Sequence, residues 1–274
     1  MSLSPKALIS AAAFWGALGW APRAAAQQPA TTRIRLGTLA PQGTSYHHIL
    51  QDIGERWRVA TSGQVQLTVY AGTMGSELEL VRRMRLGQLQ AATLSGVGLK
   101  EIDPAVSALQ LMPMMFRTLE EFDFVRTRLE PVLSRRLAER GFVVLFWGDA
   151  GWVRYFSKEP AVRPDDFKKT KLFVWAGDTD QGDLMKEMGY QPVPLEVTDI
   201  LPGLQTGLIN ALPTGTYYAL AGQFDTVAKH MLDLKWVPLI GAAVITKKAW
   251  DAMSPAGRDA LRAAADQAGV KIRE

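Results

Sequence analysis

Histidines, cysteines and grouped carboxylates supply most protein chemistry, and this sequence offers few of them at useful spacing. Its three histidines are His47, His48 and His230, and it has no cysteine. Adjacent histidines on a helix point about 100° apart, unlike the i, i+4 pair of a metal site. His47 therefore reads as a solvated helix residue. Without cysteine, thiolate nucleophiles, Cys-ligated zinc and iron–sulfur clusters are excluded. Asp178-Thr179-Asp180-Gln181-Gly182-Asp183 has the carboxylate density of a calcium loop. Its glycine comes one place early, however, and no glutamate follows at the twelfth position. Asp178 or Thr179 capping a helix is the simpler reading. The chain contains no Gly-x-Ser-x-Gly elbow, no P-loop and no Gly-x-Gly-x-x-Gly motif, and Gly96-Val97-Gly98 is only a loop signal. These residues predict a binding protein rather than an enzyme, with no cofactor and no metal.

The ends and the composition say where such a protein would work. Lys6 precedes an uncharged apolar run over 7–20, and Ala24-Ala25-Ala26 follows. A positive start, a short apolar stretch and small residues at −3 and −1 predict a secretory signal peptide over 1–26, cleaved after Ala26. The run is about 14 residues, too short for the ~20 of a membrane span. The expected location is the periplasm. The net charge of +4 falls by two when Lys6 and Arg23 leave, and both signs are interspersed, so no phosphate-tracking surface exists and nucleic acid is not an expected partner. The remaining chain is long enough to bury a large core without disulfides.

The elements that would position a site follow from periodicity. Residues 33–39, 64–70 and 90–94 read as strands, with helices over 45–60 and 76–86 between them. Thr44 or Ser45 can cap the first helix, which carries Ile49, Ile53 and Trp57 on one face. A helix over 119–140 precedes strands at 142–147 and 152–157, and further strands fall at 171–175, 191–194, 208–212 and 237–246. Helices over 179–188, 196–206 and 255–267 complete the pattern. Alternating strands and helices predict an α/β architecture with a mainly parallel sheet. Two blocks joined near Gly148 to Gly151 suggest two lobes that exchange strands.

Six segments, in order, resemble the DctP family, the solute-binding components of tripartite ATP-independent periplasmic (TRAP) transporters. They are IRLGTLAP (34–41), SGQVQLTVYAGTMGSELELVRRMRLGQL (62–89), LMPMMF (111–116), the stretch 165–174, LQTGLINAL (204–212) and KKAWDAMSPAGRDAL (247–261). The resemblance implies a two-lobed periplasmic binding protein fold, with hinged lobes and a ligand cleft between them. Lobe 1 would be 31–148 with a return strand at 237–252, and lobe 2 would be 149–236. A C-terminal helix at 253–274 is shorter than the family's long helix. The resemblance also implies capture of a small-molecule solute by a monomer, without chemistry, and delivery to membrane permease subunits.

The resemblance places a carboxylate-gripping arginine on the strand that here reads Lys171-Leu172-Phe173-Val174-Trp175, at Phe173. Trp175 shares its face. A second basic position falls on Val153, within Gly151-Trp152-Val153-Arg154. Arg154, one place on, takes over only if the strand slips or bulges, because a one-residue slip exchanges faces. Leu39, Ser95 and Thr214 occupy other ligand-facing positions. Losing two guanidiniums and gaining Phe173, Trp175 and Trp152 predicts a hydrophobic cleft for a neutral or largely apolar solute. Its polar atoms would meet Ser95, Thr214, Tyr217 or Asp149. Three alternatives stay open: Phe173 and Trp175 fill the lobe core, Arg154 binds a carboxylate, or the chain is a sensor or scaffold uncoupled from transport.

Overall fold

A computed structural model describes residues 31–273; the side chains of 149, 150, 266 and 268–273, and the segment 1–26 read as a signal peptide, lie outside the described residues. The first block runs β1 (Thr32–Thr38), α1 (Ser45–Ala60), β2 (Val65–Ala71), α2 (Glu77–Arg85), β3 (Ala91–Ser95), α3 (Gly96–Lys100) and α4 (Leu119–Glu139). A long strand, β4 (Phe142–Ser157), leads to α5 (Pro164–Lys168), β5 (Lys171–Trp175), α6 (Thr179–Glu187), β6 (Gln191–Leu195), α7 (Ile200–Thr206), β7 (Ala211–Gly215) and α8 (Thr216–Ala221). The chain returns through β8 (His230–Leu232), β9 (Pro238–Thr246), α9 (Lys247–Asp251) and α10 (Pro255–Arg273).

Capping fixes where the lobe 1 helices begin. Thr44 accepts the His47 N–H at α1, Ser76 the Glu79 N–H at α2, and Thr118 the Glu121 N–H at α4. Helix α1 buries His47, Leu50, Ile53 and Trp57. The buried face is thus turned slightly from the predicted one, and His47 is not a solvated residue. Its Nδ1 accepts the Gly43 N–H at 3.2 Å, which ties the loop after β1 to the helix.

The strands run in the order β2-β1-β3-β9-β4-β7-β5-β6, with β8 on β4. Strands β1 to β3 and β5 to β7 pair in parallel, whereas β9 and β4 run antiparallel to their neighbours. The sheet is therefore mixed rather than mainly parallel. Strand β4 belongs to both halves: its first part pairs with β9 in lobe 1, and its second with β7 and β8 in lobe 2. The two strands expected at 142–147 and 152–157 are one.

What joins them is a bulge. Asp149 pairs with Ile240 and Trp152 with Pro238, so β4 spends one residue more than β9, and Gly151 takes φ +74° there. The extra residue rephases the strand. Trp147 and Trp152 pack against the same core cluster although one is odd-numbered and the other even.

Lobe 1 is packed on both sheet faces. Leu80, Met84, Phe122, Leu137 and Trp147 fill one, and Leu50, Trp57, Trp250 and Leu261 the other. Lobe 2 closes over Phe156, Phe173, Ile200, Leu204, Leu212 and Phe224. Helix α10 packs on α1 and β4, and the Trp57 indole N–H donates to the Leu261 carbonyl at 3.3 Å.

Candidate functional site

In an α/β layer the carboxyl ends of parallel strands, where the order reverses, form the natural crevice. Leu39 lies just after β1, Ser95 closes β3, Trp175 closes β5 and Thr214 stands near the end of β7; of these, Trp175 lines the interlobe cavity. Register then sorts the lobe 2 side chains into layers. Arg154 pairs with Thr214 and Phe156 with Leu212, while Leu172 pairs with Ala211. Continued along β5, this register sets Phe173 level with Leu212 and Trp175 level with Thr214. The deeper row, Phe156–Leu212–Phe173, is core. The upper row, Arg154–Thr214–Trp175, lies on the same face at the cleft end.

Phe173 thus departs from the expected cleft wall. It is 1 % exposed within the lobe core and meets Trp175 edge-on at 5.1 Å. Burying the ring contributes about 1.5–3 kcal/mol to the lobe. Trp175, half-buried, reaches the interlobe space. That space is a cavity of about 20 Å³, lined from lobe 1 by Ser76, Glu77, Leu78, Val97 and Glu101 and from lobe 2 by Trp175, Ala176 and Gly177. It has room for about one water molecule. Two glutamates and a serine stand around it among Leu78, Val97, Trp175 and Ala176.

The bulge rephases β4 just before Arg154. Its side chain is 17 % exposed and pairs with Asp233, which is 83 % exposed. Val153, at the second basic position, is buried, and its backbone is held by Val237 and Trp236. Trp152 lies at the strand crossing, half-buried against the lobe 1 core, with the Lys235 ammonium 5.6 Å from its ring. Asp149 pairs through its backbone with Ile240; its side chain lies outside the described residues. Thr214 is buried. Leu39 packs its side chain into lobe 1, and its carbonyl accepts the Tyr218 O–H at 3.2 Å.

Besides the strand crossing, where the Met114 N–H donates to the Trp236 carbonyl at 2.7 Å and the Lys235 ammonium to the Arg117 carbonyl at 3.2 Å, two clasps join the lobes. On one side α8 reaches lobe 1: Tyr217 Oη lies 2.8 Å from Ser45 Oγ, beside the bond from Tyr218 to Leu39. On the other, Lys100 at the end of α3 binds Asp178 at 3.1 Å and Asp180 at 2.8 Å. Asp178 precedes α6 without a side-chain capping bond, so this cross-lobe pair replaces the capping role expected of it.

Sequence reasoning missed Glu77. Its buried carboxylate accepts the Ser95 N–H at 2.8 Å, the Ser95 O–H at 2.6 Å and the Gly98 N–H at 2.7 Å. Burial pushes this carboxyl above the usual range, although the donors oppose that shift. Burial and the neighbouring Glu77 push the Tyr46 phenol up to about 12. Gly96 and Gly98 are more than a loop signal. A Cβ at Gly98 would sit 2.7 Å from Glu77 Oε2, and one at Gly96 would overlap the Gln110 amide. Ser95 is the N-cap of α3, and its hydroxyl is engaged by Glu77 and by the Val97 N–H. No local pattern distinguishes Glu77 from an ordinary acidic residue in a first helical turn, since its partners are about twenty residues away.

Comparison with known proteins agrees with this architecture. Residues 36–274 match the DctP model, described as bacterial extracellular solute-binding protein, family 7. A solute-binding protein from Chromohalobacter salexigens is 24% identical over 237 residues, covering 85% of this chain and 68% of that protein. Among solved structures, a TRAP periplasmic solute-binding protein from the same organism, with bound D-glucuronate, superposes with a TM-score of 0.81 at 23% identity, covering 88% of this chain and 80% of that one. One from Sulfitobacter, with bound β-D-galacturonate, gives 0.81 at 19% identity, covering 88% and 81%.

Proposed function

The chain belongs to family 7 of the bacterial extracellular solute-binding proteins, the DctP family, and on that premise we propose that it captures a small carboxylate in the periplasm and hands it, unaltered, to TRAP permease subunits. The observation that carries the carboxylate reading is the position of Arg154 beside Thr214 and Trp175 on the cleft-side row of lobe 2. A guanidinium offers a planar fork to a carboxylate. Its present partner, Asp233, is solvated, so a carboxylate leaving that pair returns to water. A solute carboxylate can displace Asp233 at small cost. Trp175 stands two strand spacings away, about 10 Å, and can cover the apolar face of a ring. Sugar acids in related structures support this class over a neutral, apolar solute.

Closure would turn on β4, which runs through both lobes, with Gly148 and Gly151 on it and Gly241 facing them on β9 at the crossing. A drug-sized solute needs a site of roughly 300–1,000 Å³, so entry requires the lobes to part. Only a ligand that favours the closed state can shift that equilibrium.

Calorimetry with D-glucuronate and D-galacturonate tests the proposal. Binding by the native chain, weakened about 10- to 100-fold in Arg154→Ala and unchanged or tightened in Asp233→Asn, is the expected result. Neutral aromatic compounds binding where neither acid does would overturn it. Recovery of the solute unchanged after prolonged incubation is expected of a carrier; a converted product would point to an enzyme instead.

A further inference from the structure

The proposed role uses one end of the cleft and leaves the other unexplained. Beyond Trp175, away from Arg154, the cavity is bounded by Glu77 and Glu101. Glu77 is buried, and among the described residues no arginine or lysine pairs with it. Three of the roughly four acceptor positions of its carboxylate are filled by Ser95 and Gly98. Lys100, at the end of the adjacent helix α3, is committed to Asp178 and Asp180. The hydroxyl-bearing neighbours on this side, Tyr46 and Tyr218, are neutral phenols whose ionisation burial and Glu77 oppose.

Two carboxyl groups, Glu77 and Glu101, thus border the cavity beside Trp175, while the guanidinium of the proposed site stands on the lobe 2 row with Asp233. Resting on the carboxylate reading above, we propose that Glu77 is the specificity-determining residue of this cleft, admitting solutes with one carboxylate and hydrogen-bond donors at the far end, and rejecting matched dicarboxylates. A far-end hydroxyl or ammonium can donate to the remaining acceptor position of Glu77. A second carboxylate there would bring no donor to the remaining Glu77 acceptor and would find no cation to pair with, a mismatch that suppresses wrong partners.

The decisive comparison uses ligands that differ only at that end. Galactonate carries a terminal CH2OH where galactarate carries a second carboxylate, and the monoamide of galactarate carries a neutral donor. Calorimetry on the native chain should show galactonate and the monoamide binding at least ~10-fold more tightly than galactarate. In Glu77→Gln that gap should shrink to within about threefold. Equal affinity for galactonate and galactarate in the native chain overturns the proposal while leaving the Arg154 reading intact. A monoamide as weak as galactarate would mean that size, not charge, discriminates, and also overturns it. A gap that persists in folded Glu77→Gln removes Glu77 as its cause. If Glu77→Gln does not fold, the three-ligand series on the native chain still decides whether charge at that end discriminates. Should no carboxylate bind at all, both readings fall together.

Discussion

Two aromatic residues on one strand face have separate tasks because they sit one row apart. Phe173 is a core side chain of lobe 2, while Trp175 borders the interlobe cavity. Truncating a buried phenylalanine typically costs 3–5 kcal/mol. Phe173→Ala should therefore lower the melting temperature by several degrees while leaving the affinity of the folded fraction within about threefold. Trp175→Ala should do the reverse, costing little stability and at least ~10-fold in affinity. Thermal melts paired with calorimetry separate the two. A Phe173→Ala chain of native stability that no longer binds would return that ring to the cleft wall. Alternation showed from the sequence that the two rings share a face; it could not show how deep each lies, because depth is set by β7 and β4, far away in the chain.

At the level of elements, β1 to β3, β5, β6 and β9 were legible from their alternation, and α1, α2 and α4 from period and capping together. Helix α6 was legible from its period alone, and β8 was not foreseen. The less legible pieces are those fixed by distant partners. Strand β7 lies three residues later than the apolar run suggested, at Ala211–Gly215. Its position is set by pairing with β4, and it frees Thr216–Ala221 to become α8. That short helix carries Tyr217 and Tyr218, which hold lobe 1. Together with the Lys100 pair it forms the two clasps. Removing both, as Tyr217→Phe and Tyr218→Phe with Lys100→Ala, costs the closed state about 2 kcal/mol. The open population of unliganded chain should rise ~30-fold, seen as a larger radius of gyration in solution scattering. Identical scattering curves would show that these contacts do not hold the lobes.

The molecule as a whole should respond to acid in two stages. Glu77 has a raised pKa in the folded chain, so its contribution is full below the ordinary glutamate value of 4.5 and is lost as pH rises through the raised value. Asp103 behaves oppositely. Burial alone would raise it, but the Ala105 N–H, Arg136 and Arg140 outweigh burial and hold it below the ordinary 3.8. Its contribution is present above that value and is lost as pH falls through the lowered one. Melting temperature should rise as pH falls through the raised Glu77 value, then drop below about pH 4 as Asp103 protonates. In Glu77→Gln the first stage should be absent and the drop retained. A steady decline from pH 7 in the native chain would contradict the assignment of Glu77.

The one-residue bulge at Asp149–Trp152 also bears on how relatives of this protein should be compared. Aligned column by column, the arginine at 154 falls beside the basic position and counts as lost. In space the extra residue rephases the strand and sets Arg154 level with Thr214 of β7. On the proposed carboxylate reading, a single codon gained or lost at that crossing would change which β4 side chain faces the solute.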